Sequence, residues 1–252
     1  MINWIRYQLP GRHWFLNDCR AEESPFAGAQ LHDSVIRGIW GEHKVFHPGR
    51  ELRGARAYKG SFLYNYEDLD LREVPTRLPL ADETRWIGNS GARNDVVILR
   101  DPFNLLASRL KWAYGSHDRP SKPTLDGVSA SVTLWKVYAR EFSGRTEHLS
   151  DRIAISYNRW FADRGYRDAL AQRFEFVNRE TGVSEVARWG PSVSSDSFDG
   201  LKFDGRAQDM KVLSRWRQFE GDPLFRRLVA DPELHELSRE IFGVIPGTEE
   251  LT

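Results

Sequence analysis

The stretch VVILRDPFNLLASRLKW, residues 96–112, constrains the fold more than any other part of this 252-residue chain. Val96, Val97, Ile98 and Leu99 form a continuous apolar run, which suits a central parallel strand covered on both faces. The run stops abruptly at Arg100, Asp101 and Pro102, and a helical pattern follows at once. Proline is tolerated in the first turn of a helix, and an aspartate before it can cap the helix. The stretch therefore predicts strand, turn and helix with almost nothing between them.

Other segments repeat this alternation. INWIRYQL places Ile2, Ile5 and Leu9 at near-helical spacing, and a Pro10-Gly11 break leads into the strand-like HWFLNDC. In GSFLYNYED, Phe62, Tyr64 and Tyr66 alternate against Ser61, Leu63 and Asn65, which predicts a strand ending at Glu67 and Asp68. RIAISYN predicts a further strand, running into the helical RWFADRGYRDALAQRFEF. In SVTLWKVYAREF, the stripe Val132, Trp135, Tyr138, Ala139 and Phe142 predicts an amphipathic packing helix. Asp231-Pro232 starts another, with Leu234, Leu237 and Ile241 inward and Gly243 at its stop. Strands interleaved with helices predict an α/β fold with a mostly parallel sheet flanked by helices. No internal repeat or linker interrupts the pattern, so residues 1–252 are expected to form a single domain.

Composition narrows the function. Lys plus Arg and Asp plus Glu both number 36, so the overall field favours neither nucleic acid nor an acidic partner, and an anion site has to be local. One cysteine, Cys19, excludes an internal disulfide framework and a cysteine-rich zinc site. No stretch approaches the roughly 18 apolar residues of a membrane span, and no signal-peptide order opens the chain. A cytoplasmic protein is expected. His43 and His47 stand as H-x-x-x-H, but Pro48 and Gly49 argue for a loop and no further ligand completes a set, so no metal is expected.

In α/β folds ligands bind beyond the carboxyl ends of the strands. Arg100 stands there, where its planar fork can grip a phosphate. Ser108 follows two helical turns later, about 11 Å along the axis, so both reach one anion only if the helix folds back beside the strand end. The plainer alternative is an Arg100–Asp101 ion pair with Ser108 as a small packing residue.

The strand followed by R-D-P and then a serine at this separation resembles the 3′-phosphate-binding element of sulfotransferases that use 3′-phosphoadenosine 5′-phosphosulfate (PAPS). That resemblance implies that Arg100 and Ser108 contact the 3′-phosphate of the nucleotide. RIAISYNRWFADRGYRDALAQRFEF is similar to the family's strand-Tyr-Glu-Asp-helix segment, which places Tyr157 by the adenine, with Asn158 and Arg159 where the acidic pair stands. SDSFDG, containing Ser197, and VLSRWRQF resemble a loop and helix that close over the nucleotide in some bacterial members.

The family also holds the 5′-phosphosulfate with a loop of the type P-K-S-G-T-T or R-S-G-x-H, and no clean copy exists here. Two readings stay open. In one, INWIRYQ is the first strand and Pro10-Gly11-Arg12-His13-Trp14 a degenerate loop, with Arg12 as its cation. In the other, MINWIRYQLPGRHWFLNDC resembles the helix, turn and strand that follow R-S-G-x-H, and the chain is truncated before it. The resemblance further implies a base at the end of the strand before R-D-P, which makes Glu67 the first candidate, Asp68 the second and His47 a reserve. The implied function is transfer of a sulfuryl group from PAPS to a hydroxyl or amine of a carbohydrate, lipid-linked glycan or small molecule. Its alternative is a catalytically silent nucleotide-binding relative. A P-loop kinase is disfavoured because G-x-x-x-x-G-K-[ST] is absent. Asn89-Ser90-Gly91 precedes a strand and predicts a turn, and Trp112 and Trp135 are expected in the core.

Overall fold

In the computed structural model, which describes residues 1–11, 13–19, 30–33, 60–66, 68–74, 89–115, 125–183 and 211–251, the predicted strand-to-helix unit is continuous. Strand β4 (Val96–Leu99) passes through Arg100 and Asp101 into a helix, Pro102–Gly115. Asp101 begins that helix by accepting from the Asn104 amide at 2.8 Å. An aspartate cap with a first-turn proline recurs at Asp222-Pro223 and Asp231-Pro232. Each satisfies one of the amides that a helix start leaves without a partner.

In chain order the elements are α1 (Ile2–Gln8), β1 (His13–Cys19), β2 (Gln30–Asp33), β3 (Ser61–Tyr66), β4, α2 (Pro102–Gly115), α3 (Leu125–Phe142), β5 (Ile153–Ser156), α4 (Tyr157–Ala162), α5 (Arg164–Arg173), α6 (Pro223–Val229) and α7 (Pro232–Phe242). Short 3-10 turns occupy Leu71–Glu73, Arg215–Gln218 and Thr248–Leu251. Residues 2–8 are helical, so INWIRYQ is not the strand that one reading made it. Leu9 ends the helix in extended conformation, as a residue before proline must, and Gly11 turns the chain at φ 71°.

Short parallel strand pairs flanked by helices are present, as the α/β class requires. Among the described residues the strands fall into two sheets, β2-β1-β3 and β4-β5. β1–β3 and β4–β5 are parallel, whereas β2 lies antiparallel to β1. β4 and β5 fill their register against each other, Val96 opposite Ile153 through Leu99 opposite Ser156. Alternation along these strands sends side chains to two layers. Val96, Ile98, Ile153 and Ile155 face a cluster with Trp4 and Ile5 of α1, Trp160 of α4 and Leu170 of α5. Leu99 faces a larger cluster built from Phe103, Leu106 and Leu110 of α2, Val132, Trp135 and Ala139 of α3, Phe225 of α6, and Leu234 and Leu237 of α7. The strand pair is thus covered on both faces, and truncating one such core leucine to alanine costs about 2–5 kcal/mol.

Helix α1 is clasped by a segment far along the chain. Gln8, fully packed, donates to the carbonyls of Trp4 and Thr181 at 3.0 and 3.1 Å and accepts from the Arg179 amide at 2.8 Å. The Trp4 indole donates to Asn178 Oδ1 at 3.0 Å. Gly182, at φ 87°, approaches α1 so closely that a Cβ would lie 2.7 Å from Tyr7 Cδ2 and 3.0 Å from the Trp4 nitrogen. Among the described residues no helix is long and apolar enough to cross a membrane.

Candidate anion site at the end of strand β4

The register Leu99 opposite Ser156 delivers the next residues, Arg100 and Tyr157, side by side at the carboxyl ends of two parallel strands. The Arg100 guanidinium carbon lies 5.4 Å from the Tyr157 ring centroid, within cation–π range. Trp135 Nε1 donates to the Arg100 carbonyl at 2.8 Å and fixes its main chain. Helix α2 does fold back beside the strand end, because Arg100 Nη1 donates to Ser108 Oγ at 3.2 Å. Ser108 accepts a hydrogen bond from the guanidinium, and among the described residues the Asp101 carboxylate is held by Asn104 and Asn158 rather than by Arg100.

A second cation reaches the same hydroxyl. Arg215, buried on the 3-10 turn Arg215–Gln218, donates from Nη1 to Ser108 Oγ at 2.6 Å. A serine hydroxyl offers two lone pairs and one proton. Both lone pairs take guanidinium protons, and among the described residues the hydroxyl proton has no acceptor. Three groups therefore present donors at one point, an arrangement whose complement is an oxyanion. Arg100 Nη2 also donates to the Val212 carbonyl, which ties the segment before Arg215 to the strand end. Burial pushes the Tyr157 phenol above its ordinary range, while the charges of Arg100 and Arg215 pull it the other way. The phenol remains neutral near pH 7 and offers its ring face to the cations.

Beneath the arginines lies a buried polar knot. The Asp101 carboxylate, 0% exposed, accepts from the Asn104 amide, from Asn104 Nδ2 at 3.0 Å to each oxygen, and from Asn158 Nδ2 at 2.8 Å. Asn158 Oδ1 accepts in return from the Asp101 amide at 3.2 Å. A buried carboxylate needs such donors, since an unsatisfied charge in the interior costs several kcal/mol, of order ~3–5 kcal/mol when a partner is removed.

Of the residues chosen from sequence, the structure brings together Arg100, Ser108 and Tyr157. Asp68 stands apart from them, at φ 55°, with its carboxylate on Arg109, the neighbour of Ser108 on α2. Its side chain is 54% exposed, so the burial that would suit a general base is not found there. Glu67, His47, Arg12 and Ser197, together with His43 and the Trp112 side chain, lie outside the described residues. Trp135 is in the core as expected. Asn89 to Asp95 form no strand or helix, with Arg93 paired to Asp95 at 2.9 Å. Among the described residues no three His, Cys, Asp or Glu side chains are grouped as metal ligands.

Sequence reasoning missed Arg215, Asn104 and the carboxylate-binding role of Asn158. Arg215 stands 107 positions from Ser108, and its only sequence signal was an arginine beside a tryptophan in VLSRWRQF. Comparison with family models, curated proteins and solved structures finds no match to this chain. The fold and the site define an α/β protein in which two arginines converge on one serine hydroxyl at the carboxyl ends of a parallel strand pair.

Proposed function

We propose that the Arg100–Ser108–Arg215 cluster binds the 3′-phosphate of a PAPS-type nucleotide, and that the protein is a sulfotransferase of α/β, sulfotransferase-type fold acting in the cytoplasm. The observation that carries this reading is the convergence of two guanidinium groups on one hydroxyl whose own proton has no acceptor among the described residues. The donor set fits a phosphate: a terminal phosphate offers three strong acceptor oxygens and a charge that two arginines balance. Tyr157 supports the same reading as an aromatic face beside the phosphate site, placed to stack on an adenine.

In the reaction so inferred, an acceptor hydroxyl or amine attacks the sulfur of the donor. The bond from sulfur to the bridging phosphate oxygen breaks, and 3′-phosphoadenosine 5′-phosphate departs. Arg100, Ser108 and Arg215 hold the nucleotide by its 3′ end and so orient the 5′ end toward the acceptor, which is how positioning accelerates group transfer. Glu67 is the proposed base for the acceptor's proton, with Asp68 and then His47 as alternatives, and Arg12 would face the leaving phosphate. Carbohydrates and small metabolites are the proposed acceptors.

Calorimetric titration of the intact protein with 3′-phosphoadenosine 5′-phosphate tests the reading. Binding that weakens at least tenfold in Arg100→Ala supports it, and no heat of binding in a folded sample sinks it. Turnover of labelled donor across a panel of acceptors, abolished in Glu67→Gln, then separates an enzyme from a silent nucleotide-binding relative.

A further inference from the structure

Arg100 and Arg215 come from segments more than 100 residues apart, and one side chain touches the surroundings of both. Asn104, 0% exposed in the first turn of α2, stands one helical turn before Ser108. Its Nδ2 group donates to both oxygens of Asp101, the residue after Arg100, and to the Leu213 carbonyl at 3.0 Å. Its Oδ1 accepts from the Trp216 amide at 3.3 Å. Leu213 and Trp216 bracket Arg215, so a single amide grips the main chain on both sides of the second arginine while it holds the carboxylate beside the first. Its helix neighbours Phe103 and Leu106, and Trp216, belong to the apolar core, which makes a fully buried amide at this position costly unless both its ends are used. A buried side chain that uses both ends of its amide specifies one arrangement of its neighbours.

We infer that Asn104 is a positioning residue of the oxyanion cluster, acting through Arg215 by holding the 212–216 main chain at the distance from which its guanidinium reaches Ser108. The inference rests on the reading of that cluster as a phosphate site. It gives the asparagine in R-D-P-F-N a role distinct from the arginine and the serine: those two touch the anion, and Asn104 decides whether a third donor can.

A double-mutant cycle in the full chain, read by titration with 3′-phosphoadenosine 5′-phosphate, provides the test. Asn104→Ala is expected to weaken binding roughly tenfold in the wild-type background and less than about twofold once Arg215→Ala is present, because the group through which it acts is gone. An equal loss in both backgrounds, or none in either, overturns the inference and leaves the phosphate reading intact. If Arg100→Ala, Ser108→Ala and Arg215→Ala all bind as the wild type does, the phosphate reading fails and the inference with it. Should Asn104→Ala not fold, hydrogen exchange on the wild type decides. Saturating nucleotide is expected to slow exchange of the Trp216 amide, since coupling between sites is reciprocal, and unchanged exchange there with nucleotide bound overturns the inference.

Discussion

Arg100 and Tyr157 leave two hydrogen-bonded parallel strands at the same level, so the guanidinium carbon of one stands 5.4 Å from the ring centroid of the other. What the cation meets is the ring face. Tyr157→Phe is therefore expected to bind 3′-phosphoadenosine 5′-phosphate within about twofold of the wild type. Tyr157→Leu removes the aromatic face proposed to stack on the adenine, worth about 1–2 kcal/mol, and is expected to bind about five- to thirtyfold more weakly. Equal affinities for the leucine and phenylalanine variants in a calorimetric titration would remove the ring from the site.

Ser108→Ala deletes the acceptor shared by Arg100 and Arg215 together with a hydroxyl proton that has no acceptor among the described residues. Nucleotide affinity should fall about tenfold, while the melting temperature moves by no more than about 2–4 °C, the equivalent of ~1 kcal/mol in a chain of this size. Arg215→Ala should weaken binding further and flatten its dependence on salt, because one screened charge is lost. Retained affinity in Ser108→Ala would return the serine to a packing role.

Among the described residues the Asp101 carboxylate receives only N–H donors, from Asn104 and Asn158. Asp101→Asn turns an amide nitrogen toward other amide nitrogens and is expected to cost about 2–4 kcal/mol. Asn158→Asp sets a second carboxylate against the first and should cost at least as much. Chemical denaturation measures both, and an Asn158→Asp protein as stable as the wild type would refute the arrangement.

Alkaline pH should expose the role of Tyr138. Its hydroxyl donates to the Leu69 carbonyl at 2.8 Å, and burial, then the charges of Asp68 and Asp70, hold the phenol far above its ordinary range. Below about pH 10 folded and unfolded chains both keep the proton; above it the unfolded chain releases the proton and the folded chain does not. Stability is thus lost as pH rises beyond about 10. Tyr138→Phe should be less stable near pH 8, by about 1 kcal/mol for the lost hydrogen bond, and should lose stability less steeply between pH 9.5 and 11. Thermal melts across that range compare the two slopes.

The sequence made local decisions legible and distant ones not. The switch from the apolar run of Val96–Leu99 to a capped helix is written in adjacent residues, as are the Asp231-Pro232 start and the Gly243 stop. The helix at Ile2–Gln8 followed from spacing alone. Periodicity says which residues turn inward, but it is silent on which strand lies beside which, and so the antiparallel pairing of the four-residue β2 with β1 could not be read from it. The site divides the same way. Arg100 and Ser108 are separated by two helical turns and could be paired on paper. Arg215 reaches Ser108 from 107 positions away, on a segment whose main chain at Val212, Leu213 and Trp216 is held by Arg100 and Asn104, a relation that no local pattern encodes.

The clasp between α1 and residues 178–182 has a consequence for the order in which the chain can mature. Trp4 and Gln8 leave the ribosome before their partners Asn178, Arg179 and Thr181, which are more than 170 residues behind them. At a synthesis rate of about 5–20 residues per second, α1 waits roughly 10–30 s before the backbone at Gly182 exists to cover it. During that interval its apolar face is a ready target for chaperones, while Arg215 itself is still to be made.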